Sequence, residues 1–153
     1  MNSWGGWQVG GILTLESGLP TTPAVGVELA NQGGFSGQRP NATGVNPNLP
    51  PGERAVNRWF NTAAFAPQTL YTYGNAGRDI VDCPGMIDLD MSLLKEFAIT
   101  ESKALNFRGE IFNAPNHPIF GTPNMTMNSS SYGYITNTKV DSREIQFALR
   151  FVF

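Results

Sequence analysis

The feature that most constrains this chain is its last stretch, where Ile145, Phe147, Leu149, Phe151 and Phe153 alternate with Glu144, Gln146, Ala148, Arg150 and Val152. Strict period two sends the large apolar side chains to one face of an extended strand and the smaller or polar ones to the other, which an α-helix does not do. At roughly nine to eleven residues, such a strand is long enough to cross a bilayer when tilted. The chain stops on an aromatic within the pattern, where soluble domains often fray into polar residues.

Similar alternation recurs earlier. Trp7, Val9, Leu13 and Leu15 oppose Gln8, Thr14 and Glu16, with Ile12 breaking the polar side. Ile87, Leu89, Met91 and Leu93 oppose Asp88, Asp90 and Ser92, and Leu105, Phe107 and Ile111 oppose Asn106, Arg108 and Glu110. The predicted fold class is all-β, an antiparallel meander of about four long strands near residues 7–16, 86–97, 104–113 and 143–153.

The connections fall into two classes. A tight polar turn at Thr100-Glu101-Ser102-Lys103 joins the second and third strands, whereas residues 17–85 and 114–142 are long, rich in Pro, Gly, Asn and Ser, and show little periodicity. Long structureless loops are uncommon in compact soluble domains. Outer-membrane barrels, by contrast, have short turns on one side and long loops on the other. A soluble β-sandwich also alternates, and a carbohydrate-binding module of that kind is the alternative reading. The uninterrupted apolar stripes, the two loop classes and the terminal aromatic favour the C-terminal part of a transmembrane β-barrel in the outer membrane.

With the Thr100 turn on the periplasmic side, the long loops are extracellular and the C-terminus periplasmic. Trp4, Trp7, Phe97, Phe107, Phe151 and Phe153 then gather toward the periplasmic strand ends, where an aromatic girdle is expected. Lys95 falls on the lipid-facing parity, either snorkelling to the headgroups from near the strand end or displaced by a bulge around Leu93-Leu94.

Composition agrees and excludes other classes. Only 14% of residues are charged, against about a quarter in soluble domains. The net charge of −2 and the absence of any Lys/Arg run give no footprint for nucleic acid. With one cysteine, Cys83, and one histidine, His117, neither a disulfide nor a Cys- or His-based metal cluster is expected. No apolar run is long enough for a membrane helix, and Asn2-Ser3-Trp4-Gly5-Gly6 after Met1 is no export signal. An outer-membrane protein needs one, so the chain is expected to be the end of a longer precursor. Even the smallest outer-membrane barrels have about eight strands, so these strands are expected to pair with others.

Several ordered motifs point to a family. Trp59-Phe60-Asn61-Thr62-Ala63-Ala64-Phe65 is followed by Gly74-Asn75-Ala76-Gly77-Arg78 and Asp88-Leu89-Asp90-Met91-Ser92-Leu93-Leu94-Lys95. Next come Leu105-Asn106-Phe107-Arg108-Gly109-Glu110-Ile111-Phe112-Asn113, Asn116-His117-Pro118, Phe120-Gly121, Pro123-Asn124 and Arg143 through Phe153. In order and spacing this resembles the C-terminal region of Oar-like TonB-dependent receptors, which often carry a carboxypeptidase-regulatory-like domain. The resemblance implies a barrel of about 22 strands filled by a plug that couples to the TonB complex, with energised uptake of a bulky solute. It also implies that the terminal strand, with Phe147, Leu149, Phe151 and Phe153, is the signal read by the barrel-assembly machinery. The chain itself carries no plug. The implied partners are outer-membrane lipid, the remaining strands and plug of the parent chain, the assembly machinery and, through the plug, TonB.

Candidate sites follow. Asp88, Asp90, Arg108 and Glu110 share the lumen-facing parity; the carboxylates are compatible with acid/base chemistry, but a cross-strand charge ladder is the favoured reading. Trp59, Phe60, Phe65, Tyr71 and Tyr73 form either a stacking surface for a solute or, preferably, pins holding the first loop onto the barrel rim. Gly74 to Arg78 is read as a turn, lacking the glycine pattern and lysine of a phosphate loop. His117 is read as a loop anchor and Cys83-Pro84 as loop packing. No catalytic residue, metal or cofactor is expected.

Overall fold

The computed structural model of the chain describes residues 6–34 and 37–153; Trp4 lies outside the described residues. These residues form strands β1 (Trp7–Glu16), β2 (Pro20–Thr21), β3 (Asn41–Ala42), β4 (Phe65–Ala66), β5 (Val81–Asp82), β6 (Met86–Ala98), β7 (Ala104–Phe112) and β8 (Glu144–Val152). Two short 3-10 turns, Pro51–Glu53 and Thr62–Ala64, are the only helical elements among the described residues, so the chain is all-β. It divides into two compact units.

The first unit comprises Met1–Glu16, Met86–Ile119 and Val140–Phe153. Its four long strands form an antiparallel sheet in the order β1-β6-β7-β8. The observed boundaries lie within a residue or so of the alternating segments, because one apolar face fixes which residues point together. The hairpin between β6 and β7 closes as the polar turn demands: the Ile99 N–H donates to the Lys103 carbonyl at 2.8 Å, and the Lys103 N–H donates to Thr100 Oγ1 at 3.1 Å. The unit is a single sheet, without the second layer that a sandwich requires.

Register removes one of the two readings of Lys95. Val9, Gln8 and Trp7 pair in unbroken succession with Leu93, Leu94 and Lys95. There is no bulge there, so Lys95 remains on the apolar face.

A knot of hydrogen bonds sits where β7 ends. Asn113 is buried and adopts φ +47°, a left-handed conformation that Asn tolerates better than most residues. Its N–H donates to Asp90 Oδ1 at 3.1 Å. Its Nδ2 donates to the carbonyls of His117 and Asp141 at 3.1 and 3.2 Å, and its Oδ1 accepts from the His117 N–H at 3.1 Å. Asn116, at φ +54°, accepts the Arg143 N–H at 3.2 Å. The chain leaving β7 is thereby tied to the chain entering β8. His117 does anchor the loop, but through its backbone.

The second unit, Ser17–Gly85 with Phe120–Lys139, corrects the expectation of structureless loops. Phe60, Ala64, Phe65, Ala76 and Val81 form a buried core, with Trp59, Ile80, Met125, Met127 and Tyr132 packed against it. Phe60 meets Phe65 and Tyr132 edge to face, at centroid distances of 6.2 and 5.3 Å. Burying one such ring contributes about 1.5–3 kcal/mol. The short pairs β2–β5 and β3–β4 add little ladder, so asparagine side chains stand in for strand partners. Asn75 Oδ1 accepts the Ala42 N–H at 2.8 Å, and Asn48 Oδ1 accepts the Asp82 N–H at 2.8 Å. Gly74 is required by close approach: a Cβ there would lie 1.9 Å from the Arg39 carbonyl oxygen.

Candidate functional site

The pairing register sorts the first unit's side chains into rows. On one face, Trp7, Lys95, Phe107 and Leu149 form a row, Val9, Leu93, Gly109 and Phe147 the next, and Gly11, Met91, Ile111 and Ile145 a third. Leu13 beside Leu89 and Leu15 beside Ile87 extend the face toward the long connections. These side chains are not a buried core: Phe147 is 74% and Leu149 69% exposed. An apolar sheet face this large and open is unfavourable in water.

Two local devices complete the face. Gly109 leaves room for the Phe147 ring, which lies 3.4 Å from where its Cβ would be and stacks with Phe107 at a centroid distance of 5.9 Å. Lys95, only 5% exposed, places its ammonium over the rings of Trp7 and Phe97, 5.0 and 5.4 Å from their centroids. Ring faces are electron-rich, so this arrangement accommodates a cation on an apolar surface.

On the other face the rows are Glu96, Asn106 and Arg150; Gln8, Leu94, Arg108 and Ala148; and Gly10, Ser92, Glu110 and Gln146. A hollow of about 390 Å³ opens over the first two. Further along, Ile12 faces Asp90 and Thr14 faces Asp88. The predicted charge ladder does not form across the strands. Arg108 pairs with Glu110 on its own strand, and its neighbours across the sheet are Leu94 and Ala148. Asp90 is four residues from Leu94, about 13 Å along the strand, beyond reach of the guanidinium. It accepts the Asn113 N–H instead, while Asp88 Oδ1 is buried with no donor among the described residues.

A sheet with one continuous apolar face open to its surroundings and one polar face is the wall pattern of a membrane barrel. The sequence pattern of a family described as an outer membrane beta barrel domain matches residues 2–146. The chain belongs to this outer-membrane β-barrel family. No curated protein and no solved structure matches it. In an outer-membrane β-barrel the apolar side chains meet lipid and their polar neighbours face inward. The aromatics of the girdle, Trp7, Phe97, Phe107 and Phe151, gather near the Thr100 turn, and Phe151 stacks on Phe153 at 6.0 Å.

The second unit separates the loop aromatics that the sequence grouped together. Phe60 and Phe65 are buried and Trp59 partly so. The Trp59 indole N–H donates to the Asp82 carbonyl at 2.8 Å, and its ring lies under the Arg54 guanidinium. All three pack within the unit, and Phe60 and Phe65, being buried, offer no stacking surface. Tyr71 and Tyr73 are 74% and 75% exposed. Cys83 is half-buried, and burial, helped by the neighbouring Asp82 carboxylate, pushes its thiol above the ordinary range. No group of three or more metal-ligating side chains occurs among the described residues.

Sequence reasoning missed a polar cluster in this unit. Gln38 Oε1 accepts the backbone N–H groups of Leu29 and Ala30 at 3.0 and 3.2 Å and the Gln68 amide at 2.9 Å, and its Nε2 donates to Glu28. Two buried glutamines so far apart in sequence leave no periodic signal.

Proposed function

We propose that this outer-membrane barrel segment belongs to a TonB-dependent receptor for energised uptake of a bulky solute, and that it forms the C-terminal part of the receptor wall. The observation that carries the reading is the ordered set of motifs from Trp59 to Phe153 that resembles Oar-like receptors. The two loop classes support it: a short polar turn joins β6 to β7, whereas the connections from β1 to β6 and from β7 to β8 supply a folded unit far larger than any hairpin needs. So does the sheet itself, because four strands do not close and the edges of β1 and β8 require neighbours in lipid.

On this reading the second unit is extracellular, the Thr100 turn and Phe153 are periplasmic, and the terminal strand is the assembly signal. The chain acts as wall and mouth of a transporter and not as an enzyme. Its partners are outer-membrane lipid, the other strands and plug of the receptor, the barrel-assembly machinery and the TonB complex.

The test is depletion of solutes from the growth medium, compared between cells with and without the gene and with and without a working TonB complex. The proposal expects at least one solute to be consumed only when both are present. Depletion indifferent to either deletion would overturn it.

A further inference from the structure

In the second unit, residues 69–73 form a turn whose side chains stand in solvent while its backbone is fixed on both sides. Thr72 donates twice to the Thr69 carbonyl, from its N–H at 3.1 Å and its Oγ1 at 2.7 Å. The Tyr71 N–H donates to the Leu29 carbonyl at 2.7 Å. On one flank Gln68 is buried against Gln38, and on the other Gly74 is wedged beneath the Arg39 carbonyl. This framework holds Tyr71 at φ +66°, where a bulky residue is strained. Strain of that kind persists when the surrounding structure imposes it, and it concentrates at ligand-contacting sites. Its result here is a rigid tip on which Leu70, Tyr71 and Tyr73 are all exposed. Tyrosines on a fixed backbone give a large amphipathic contact area at low entropic cost.

Charge narrows the class of ligand. From Phe65 through Gly77 no side chain is charged. The group beside the tip is Glu28, next to the Leu29 that receives Tyr71. Its Oε1 accepts from the Gln38 amide and, at 3.3 Å, from the Gln32 N–H. The Gln38 bond foremost holds its carboxyl below the ordinary range. A carboxylate there disfavours anionic ligands and accepts hydrogen bonds from hydroxyls. At the root of the turn, Gln68 Oε1 is buried with no donor among the described residues, an acceptor that a water bridging to a bound hydroxyl would satisfy. The nearby cation, Arg39, is engaged by the Ala76 carbonyl at 2.7 Å, so flat apolar faces and a hydroxyl-accepting edge suit a sugar ring, whose C–H face packs on an aromatic while its hydroxyls point outward.

We propose that the Thr69–Tyr73 turn is a stacking site for an uncharged oligosaccharide, with Tyr71 and Tyr73 as the platform and Glu28 as an acceptor at its edge. The proposal deepens the receptor reading by naming a solute class and rests on it only for the fate of the bound sugar.

The test is calorimetric titration of the intact protein, purified from outer membranes in detergent micelles, with maltohexaose, cellohexaose and, as an anionic control, hexagalacturonic acid. At least one neutral oligomer is expected to bind in the millimolar range or tighter. Tyr71→Ala with Tyr73→Ala should weaken it about tenfold or more, while Tyr71→Phe with Tyr73→Phe stays within about threefold because the ring faces remain. Where the double alanine variant does not fold, Tyr73→Ala alone, outside the left-handed position, should weaken binding measurably. No binding of either neutral oligomer at about 10 mM, binding indifferent to the alanine variants, or equal binding of the acidic oligomer would each overturn the proposal. Loss of TonB-dependent uptake with sugar binding intact would count against the receptor reading alone.

Discussion

Asn113 and Tyr132 show how much single residues carry in a protein with little regular structure outside its sheet. Replacing Asn113 with Ala removes the donors to His117 and Asp141 and forces an ordinary residue to φ +47°. Both bonds are part-buried, and losing each costs about 0.5–1.5 kcal/mol. Amide exchange of residues 113–118 and 140–144 should accelerate in Asn113→Ala and only partly recover in Asn113→Gly, which restores the backbone freedom but not the side-chain bonds. Tyr132 gives a pH signature. Burial pushes its phenol up to about 12, from about 10 in an unfolded chain. The folded state therefore keeps a proton that the unfolded state releases between those values, and stability falls as pH rises from about 10 to about 12. A late tyrosinate absorbance step should vanish in Tyr132→Phe. That variant should fold normally, since the hydroxyl is buried without a partner among the described residues.

At the scale of elements, β8 makes the sharpest contrast because adjacent residues face different media. Phe147→Arg places a cation on the apolar face at mid-strand and is expected to cost about 2–4 kcal/mol of membrane stability, whereas the same charge at Gln146, on the polar face, costs little. Yields of heat-modifiable folded protein from outer membranes should drop for the first and hold for the second; equal yields would refute the assignment of faces. The strands were legible in the sequence because period two survives burial against lipid as well as against protein. The second unit was not. Its core joins Phe60 to Tyr132, and its backbone joins Ala24 to Met125, contacts between segments far apart in the chain with no repeating interval. Period two says nothing of Phe60, which packs in the second unit's own core, or of Trp59, which lies partly buried against it. The charge ladder failed for a related reason: parity named the right face, but not which residues stand opposite.

For the molecule as a whole, the central claim is that the sheet is a wall with lipid against its odd-numbered β8 side chains and a polar interior behind. Membership of the outer-membrane β-barrel family and the open apolar face agree on this. Spin labels placed singly at positions 144 to 152 of the intact protein in its membrane, in a Cys83→Ser background, test it most directly by collision with oxygen, which concentrates in lipid, and with a nickel chelate, which stays in water. The account predicts a period-two oscillation, with oxygen contact highest at Ile145, Phe147, Leu149 and Phe151 and nickel contact out of phase with it. Uniform exposure to the chelate, or an oscillation of the opposite phase, would contradict it.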